Sequence, residues 1–332
     1  MFCKVSNWEY LPIMNYPGAL RYPVFQPFHL GQLRGVVLPP REMLLGPWLR
    51  EGSLSLLHGA RGVGKTHVAL AIAHAVATGT GLFGWDAPVP RRVLFIDGEM
   101  TLHDLQRAAR ALPVSEHDAN LALIANDGEA DPVDLAHAPH RERLEPHLEG
   151  VALIVVDNLA TLTQGGSENT AESWAPLEHW ALGQRRANRA ILFVHNSGRL
   201  GQPRGTSRRE DRMDTILGLR PAQGEVRGED GGSAGFEVHV EKHRGSLPAG
   251  AFPLRAWLSA EGWRCAKLED GPRREVVSLS LAGHSVRAIA SLLGVAPSNV
   301  YRLQQVARRC GELPAVAAVS PVSAVSGVPN DG

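Results

Sequence analysis

The sequence predicts an α/β fold with a mostly parallel central sheet, followed by a small all-α unit. Three observations carry this. Short β-branched apolar runs alternate with helix-length stretches between residues 54 and 195. One run leads into a glycine-rich turn, Gly59 to Thr66, that opens a helix. Near the C-terminus Ala290, Gly294 and Val300 fall at the spacing of two helices that cross at a tight turn.

Composition permits such a core. The 332 residues are 44 % hydrophobic and 20 % charged, as in soluble globular chains. No stretch approaches 18 uncharged apolar residues, and no basic region followed by an apolar run opens the chain. The expectation is therefore no membrane partner and a cytoplasmic setting. The three cysteines, Cys3, Cys265 and Cys310, make no CxxC pair, which excludes a disulfide scaffold and a cysteine-rich zinc site. His137, His140 and His147 lie near one another, but their spacing among Pro139 and Pro146 matches no zinc helix or finger.

The first segment, residues 1–37, reads as an arm. Residues 1–28 hold seven of the 19 aromatics, interrupted by Pro17, Pro23 and Pro27, which favours an extended chain over a helix. Residues 38–265 form the α/β core. Its expected strands are Leu54–His58, Val93–Asp97, Leu121–Ala125, Ala152–Asp157 and Ile191–His195. Helices are expected over Lys65–Ala77, Leu102–Leu112 and Glu172–Ala187. Thr215–Leu219, Phe236–Lys242 and Leu254–Leu258 have short connections and read as an antiparallel extension of the sheet. Residues 271–311 form the helical unit. Residues 312–332, rich in Ala, Val, Ser and Pro, read as a disordered tail.

The chemistry is written most plainly in Gly59, Ala60, Arg61, Gly62, Val63, Gly64, Lys65 and Thr66, which match G-x-x-x-x-G-K-[ST] without a mismatch. A strand before and a helix after are the context in which this loop cradles phosphates. Glycines let backbone N–H groups turn inward, and the helix N-terminus favours an anion. Lys65 is expected to reach the β- and γ-phosphates, and the Thr66 hydroxyl to ligate Mg²⁺. His67 closes the nucleotide-binding set. ATP and Mg²⁺ are the implied ligands. Asp157, ending the run ALIVVD, is the expected second Mg²⁺ carboxylate. Asn158 follows it, at the position where many ring ATPases have their catalytic Glu. Glu99, just after the strand LFID, stands where the RecA-like ATPases that this segment resembles have a Glu that polarises the attacking water, with Asp97 a weaker competitor; a placed base contributes about 10²–10⁴-fold. His195 ends ILFVH, and the same resemblance makes it a candidate γ-phosphate sensor.

These residues resemble a known family. HGARGVGKT, LFIDGEM, LIVVDNL and LFVHNSGRLGQPRGTS are similar to RepA-type plasmid-replication ATPases of the RecA/DnaB-like group, over about Leu38 to Leu258. The resemblance implies a RecA-like P-loop ATPase core that forms a homo-oligomer, most simply a hexameric ring, and moves on or remodels DNA. It implies that Lys242 and Arg244, in a K-x-R element, reach the nucleotide bound by the adjacent subunit; such an arginine is worth about 10³–10⁵ in rate. Arg204, in the RGTS segment, is left open between phosphate contact and solvated loop. Asn196 departs from the family, which often has a second His there.

The C-terminal pattern resembles the helix-turn-helix tails of resolvases. Ala290 permits close helix crossing, Gly294 the turn, and Val300 packing of the second helix. Ser298, Asn299 and Arg302 then stand at the exposed start of a recognition helix, as DNA-binding residues. Charge agrees. The zero net charge is a sum of 28 bases against 31 acids over residues 1–270 and six against three over 271–332. Two readings follow: a helicase or DNA-remodelling motor, or an ATP-switched DNA-binding regulator or loading factor without unwinding activity.

Overall fold

In a computed structural model, residue 27 and residues 29–163, 171–197, 207–222, 235–248, 251–259, 262–268, 271–309 and 313–314 are described. The chain divides into two units, Met1–Pro40 and Arg41–Gly332. The described part of the first holds one short helix, α1 (Leu30–Gly35), with no buried residue. Residues 1–26 and 315–332, the bulk of the expected arm and tail, lie outside the described residues.

The second unit opens with a small hairpin, β1 (Met43–Leu45) and β2 (Leu49–Arg50). Then come β3 (Leu54–Gly59), α2 (Lys65–Thr78), β4 (Arg92–Asp97), α3 (Leu102–Arg110), β5 (Leu121–Ala125) and α4 (Ala138–Leu144). They are followed by β6 (Val151–Asp157), α5 (Ala171–Arg186), β7 (Ala190–Asn196), α6 (Ser207–Arg212) and β8 (Thr215–Pro221). Last are β9 (Phe236–His243), β10 (Leu254–Ser259), β11 (Gly262–Lys267), α7 (Gly271–Leu281), α8 (Val286–Leu293) and α9 (Pro297–Arg309).

The α/β class holds: one nine-stranded sheet runs β11-β10-β9-β8-β3-β7-β6-β4-β5. From β8 to β5 all neighbours are parallel. Only β9, β10 and β11 are antiparallel. This corrects the expectation for Thr215–Leu219, which belongs to the parallel part. It pairs with β3 in the same direction, and its connection from β7 is long enough to hold α6, as a parallel crossover requires. The order puts β7 between the glycine-turn strand β3 and the Asp157 strand β6.

Strand parity divides the core into two layers. Leu57, Phe95, Val155 and Val194 face α2, which is itself buried on nearly every side. Leu56, Ile96, Ile154 and Phe193 face the other way, onto Trp174 and Leu177 of α5. All seven residues of β6 are buried. Each fully buried Val, Leu or Ile side chain contributes about 1.5–3 kcal/mol relative to exposure. The apolar runs are thus the two-sided strands of a covered parallel sheet.

Helices α7, α8 and α9 pack around Val276, Ile289, Ala290 and Val300. The Ser285 hydroxyl caps α8 by accepting from the Ala288 N–H at 3.2 Å, and Gly294 ends it with φ +63°. A left-handed residue at that C-cap costs a glycine little.

Candidate functional site

The C-terminal ends of the parallel strands carry the site, as the open edge of such a sheet does. Gly59 ends β3 where a Cβ would lie 2.8 Å from the Leu219 carbonyl oxygen, so the turn starts at a position only glycine fills without displacement. Gly64, with φ +96°, leads into α2. Lys65 is buried, and its ammonium donates to the Ala60 carbonyl at 2.9 Å, folding back across the turn. Burial holds its pKa below the usual lysine value, opposed by the charges of Asp157 and Glu99. Arg61 and His67 are exposed.

Asp157 and Asp97 are register partners on β6 and β4. Both are buried, and Asp157 Oδ2 and Asp97 Oδ1 have no hydrogen-bond partner. Burial pushes Asp157 up to about 7, against a hydrogen bond from the Thr66 side chain, with Asp97 adding to the rise. Burial likewise pushes Asp97 up to about 6, while its Oδ2 accepts the Met100 N–H at 2.8 Å. That bond shapes the turn carrying Glu99, which is itself exposed. Two buried carboxylates with bare oxygens, beside a threonine hydroxyl, form a donor set suited to a hard divalent cation. Thr66 and Asp157 therefore fit the expected Mg²⁺ site.

Parity separates the next two residues. Asn196 pairs with Gly59 and shares the face of Leu192 and Val194, the α2 side. His195 shares the face of Ile191 and Phe193, the α5 side. The structure thus brings Asn196, and not His195, to the face on which the glycine turn closes. Sequence reading missed this because strand ends carry no label for which side faces the loop.

Lys242 and Arg244 sit at the end of β9, held within the chain. The Lys242 ammonium donates to the Glu210 and Asp211 carbonyls at 2.5 and 3.2 Å, and Arg244 donates to Asp211 at 2.6 Å. Both cations thereby meet the C-terminal carbonyls of α6, which favour positive charge. Arg204 lies outside the described residues. Ser298, Asn299 and Arg302 are exposed on the first turns of α9, while Val300 between them is buried.

The family comparison agrees with this core. A family profile described as an AAA domain matches residues 23–202, more than half of the chain. Among solved structures, a KaiC-like protein of the hyperthermophilic archaeon Pyrococcus horikoshii OT3 is similar at 15 % identity, with a TM-score of 0.48, over 67 % of this chain and 93 % of that one. No curated protein matches.

Proposed function

From the premise that the chain belongs to the AAA domain family, we propose a RecA-like ATPase that hydrolyses ATP to move on or remodel DNA as a homo-oligomeric, hexameric ring. The observation that carries the reading is the meeting of Lys65, Thr66, Asp157 and Asp97 at one end of the sheet. Backbone N–H groups of residues 59–66 and Lys65 hold the phosphates, leaving the Arg61 side chain free to contact the outer ones. Thr66 and Asp157 would hold Mg²⁺, which would supply neutralisation of phosphate charge. Glu99 orients the attacking water and accepts its proton, with Asp97 fixing the turn that presents it. In this reading Asn196, the register partner of Gly59, bonds the terminal phosphate.

Arg244 and Lys242 complete a neighbour's site in this reading, and Ser298, Asn299 and Arg302 of α9 read duplex DNA. The resemblance to RepA-type ATPases supports the trans role, and the +5 balance of residues 271–311, six Arg against Glu275, supports the DNA contact. One observation favours the alternative, an ATP-switched regulator or loading factor. Lys242 and Arg244 already bond carbonyls of their own chain, so they must exchange those bonds to reach a neighbour. ATP turnover with and without single-stranded DNA, alongside the mass of the ATP-bound particle, separates the two. Stimulation in an oligomer supports the motor, and an unstimulated monomer contradicts it.

A further inference from the structure

The opposite face of the sheet holds a polar chain that the ATPase reading leaves unused. His58, the residue before Gly59, is buried, with 2 % of its side chain exposed. Its Nδ1 lies 2.9 Å from the Ser197 hydroxyl and its Nε2 lies 2.8 Å from Glu241 Oε2. The His58 bond, more than any other influence, holds the Glu241 carboxyl below the usual carboxylate range, and Arg220 adds to this from 3.3 Å. An ionised carboxylate accepts only, so Nε2 donates to Glu241, while Nδ1 shares a hydrogen bond with the Ser197 hydroxyl.

This contact spans more than neighbouring strands. Glu241 is on β9 and His58 on β3, with β8 between them. The crossing passes over Gly218, the register partner of His58. A Cβ on Gly218 would stand 2.6 Å from Glu241 Oε1 and 3.3 Å from His58 Nε2. The missing side chain is the opening through which the carboxylate reaches the histidine. Glu241 is followed directly by Lys242, whose ammonium grips the end of α6, and Ser197 directly follows Asn196.

We infer that His58 is a positioning residue, joining the strand that feeds the phosphate loop to the Lys242–Arg244 end of β9 through the Glu241 bond across Gly218. The inference rests on residues 59–66 being a nucleotide site. Movement of Gly59 on binding is transmitted because the His58 ring is buried and bonded at both nitrogens, and a buried nitrogen left unpaired would carry its whole desolvation cost. The α6 end and β9 then follow the nucleotide state of β3.

Hydrogen exchange of the full chain, with and without Mg²⁺ and ADP, tests this, comparing wild type with Glu241→Leu, which has no acceptor for Nε2, and Gly218→Ala. Exchange over residues 59–66 is expected to slow in all three. Exchange over residues 236–244 is expected to slow severalfold in wild type alone, with ADP affinity unchanged in Glu241→Leu. Gly218→Ala blocks the crossing while leaving both polar groups in the sequence, and Ser197→Ala serves if it fails to fold. Nucleotide protection of 236–244 that persists in Glu241→Leu, or that is missing in wild type while 59–66 is protected, overturns the coupling. No protection of 59–66 in wild type overturns the nucleotide site itself, and the coupling with it.

Discussion

Asp97 and Asp157 end adjacent parallel strands in direct register, two buried carboxylates of which Asp97 Oδ1 and Asp157 Oδ2 accept no hydrogen bond. Burying both without partners for these oxygens costs the fold stability, which a bound cation would offset. A folded-state pKa of about 7 for Asp157 lies above the ordinary carboxylate value. Between those two values the folded chain binds the extra proton and the unfolded chain does not.

Stability of the metal-free protein should therefore fall as pH rises from about 4 to 7, by at most about 4 kcal/mol from Asp157, at 1.36 kcal/mol per pKa unit. Asp157→Asn should flatten that part of the profile and raise the melting temperature at pH 8, while abolishing Mg²⁺-dependent turnover. Thermal melts across pH check both; an unchanged slope in the variant contradicts the assignment.

Gly59→Ala should destabilise the chain by about 1–3 kcal/mol, the usual cost of overpacking. Its new methyl meets the Leu219 carbonyl at 2.8 Å and Val63 at 3.0 Å, and neither is a flexible chain end. The denaturation midpoint in urea reads this directly.

Arg244→Ala should lower ATP turnover about 10³-fold or more if the guanidinium serves a neighbour's phosphate. Mixing that variant with Lys65→Ala should then restore part of the activity, since a shared site needs only one intact half from each chain. Purely additive, inactive mixtures confine Arg244 to holding α6.

Removing residues 271–332 should weaken duplex DNA binding and flatten its dependence on salt while sparing nucleotide affinity. Arg302→Ala should lower the salt slope by about one. Equal affinity of the truncated and whole chains for duplex refutes the DNA reading of α7–α9.

Much of the core was legible because a covered parallel strand must be apolar throughout. β3, β4, β6 and β7 match the expected strands to within one residue at either end, and the edge strand Leu121–Ala125, with no buried residue, matches on its apolar run alone. The glycine turn was legible because its backbone angles and its lysine admit few other residues. β11 was not: in GWRCAK the half that follows Arg264 is exposed, so neither alternation nor an apolar run marks it. The parallel sense of β8 depends on partners far along the chain. So does the side on which His195 falls, since that is decided by which face α2 covers. Glu241 meeting His58 depends on a glycine in a third strand, and no local pattern announces it.

ATP hydrolysis at the end of the sheet where Lys65, Thr66 and Asp157 meet is tested by phosphate release from ATP with Mg²⁺ in wild type, Lys65→Ala and Glu99→Gln. The expected result is turnover in wild type, loss of nucleotide binding and turnover in Lys65→Ala, and retained binding with turnover reduced about 10²-fold or more in Glu99→Gln. Wild-type protein that binds no nucleotide, or turnover unchanged in folded Lys65→Ala, contradicts ATP hydrolysis at this site.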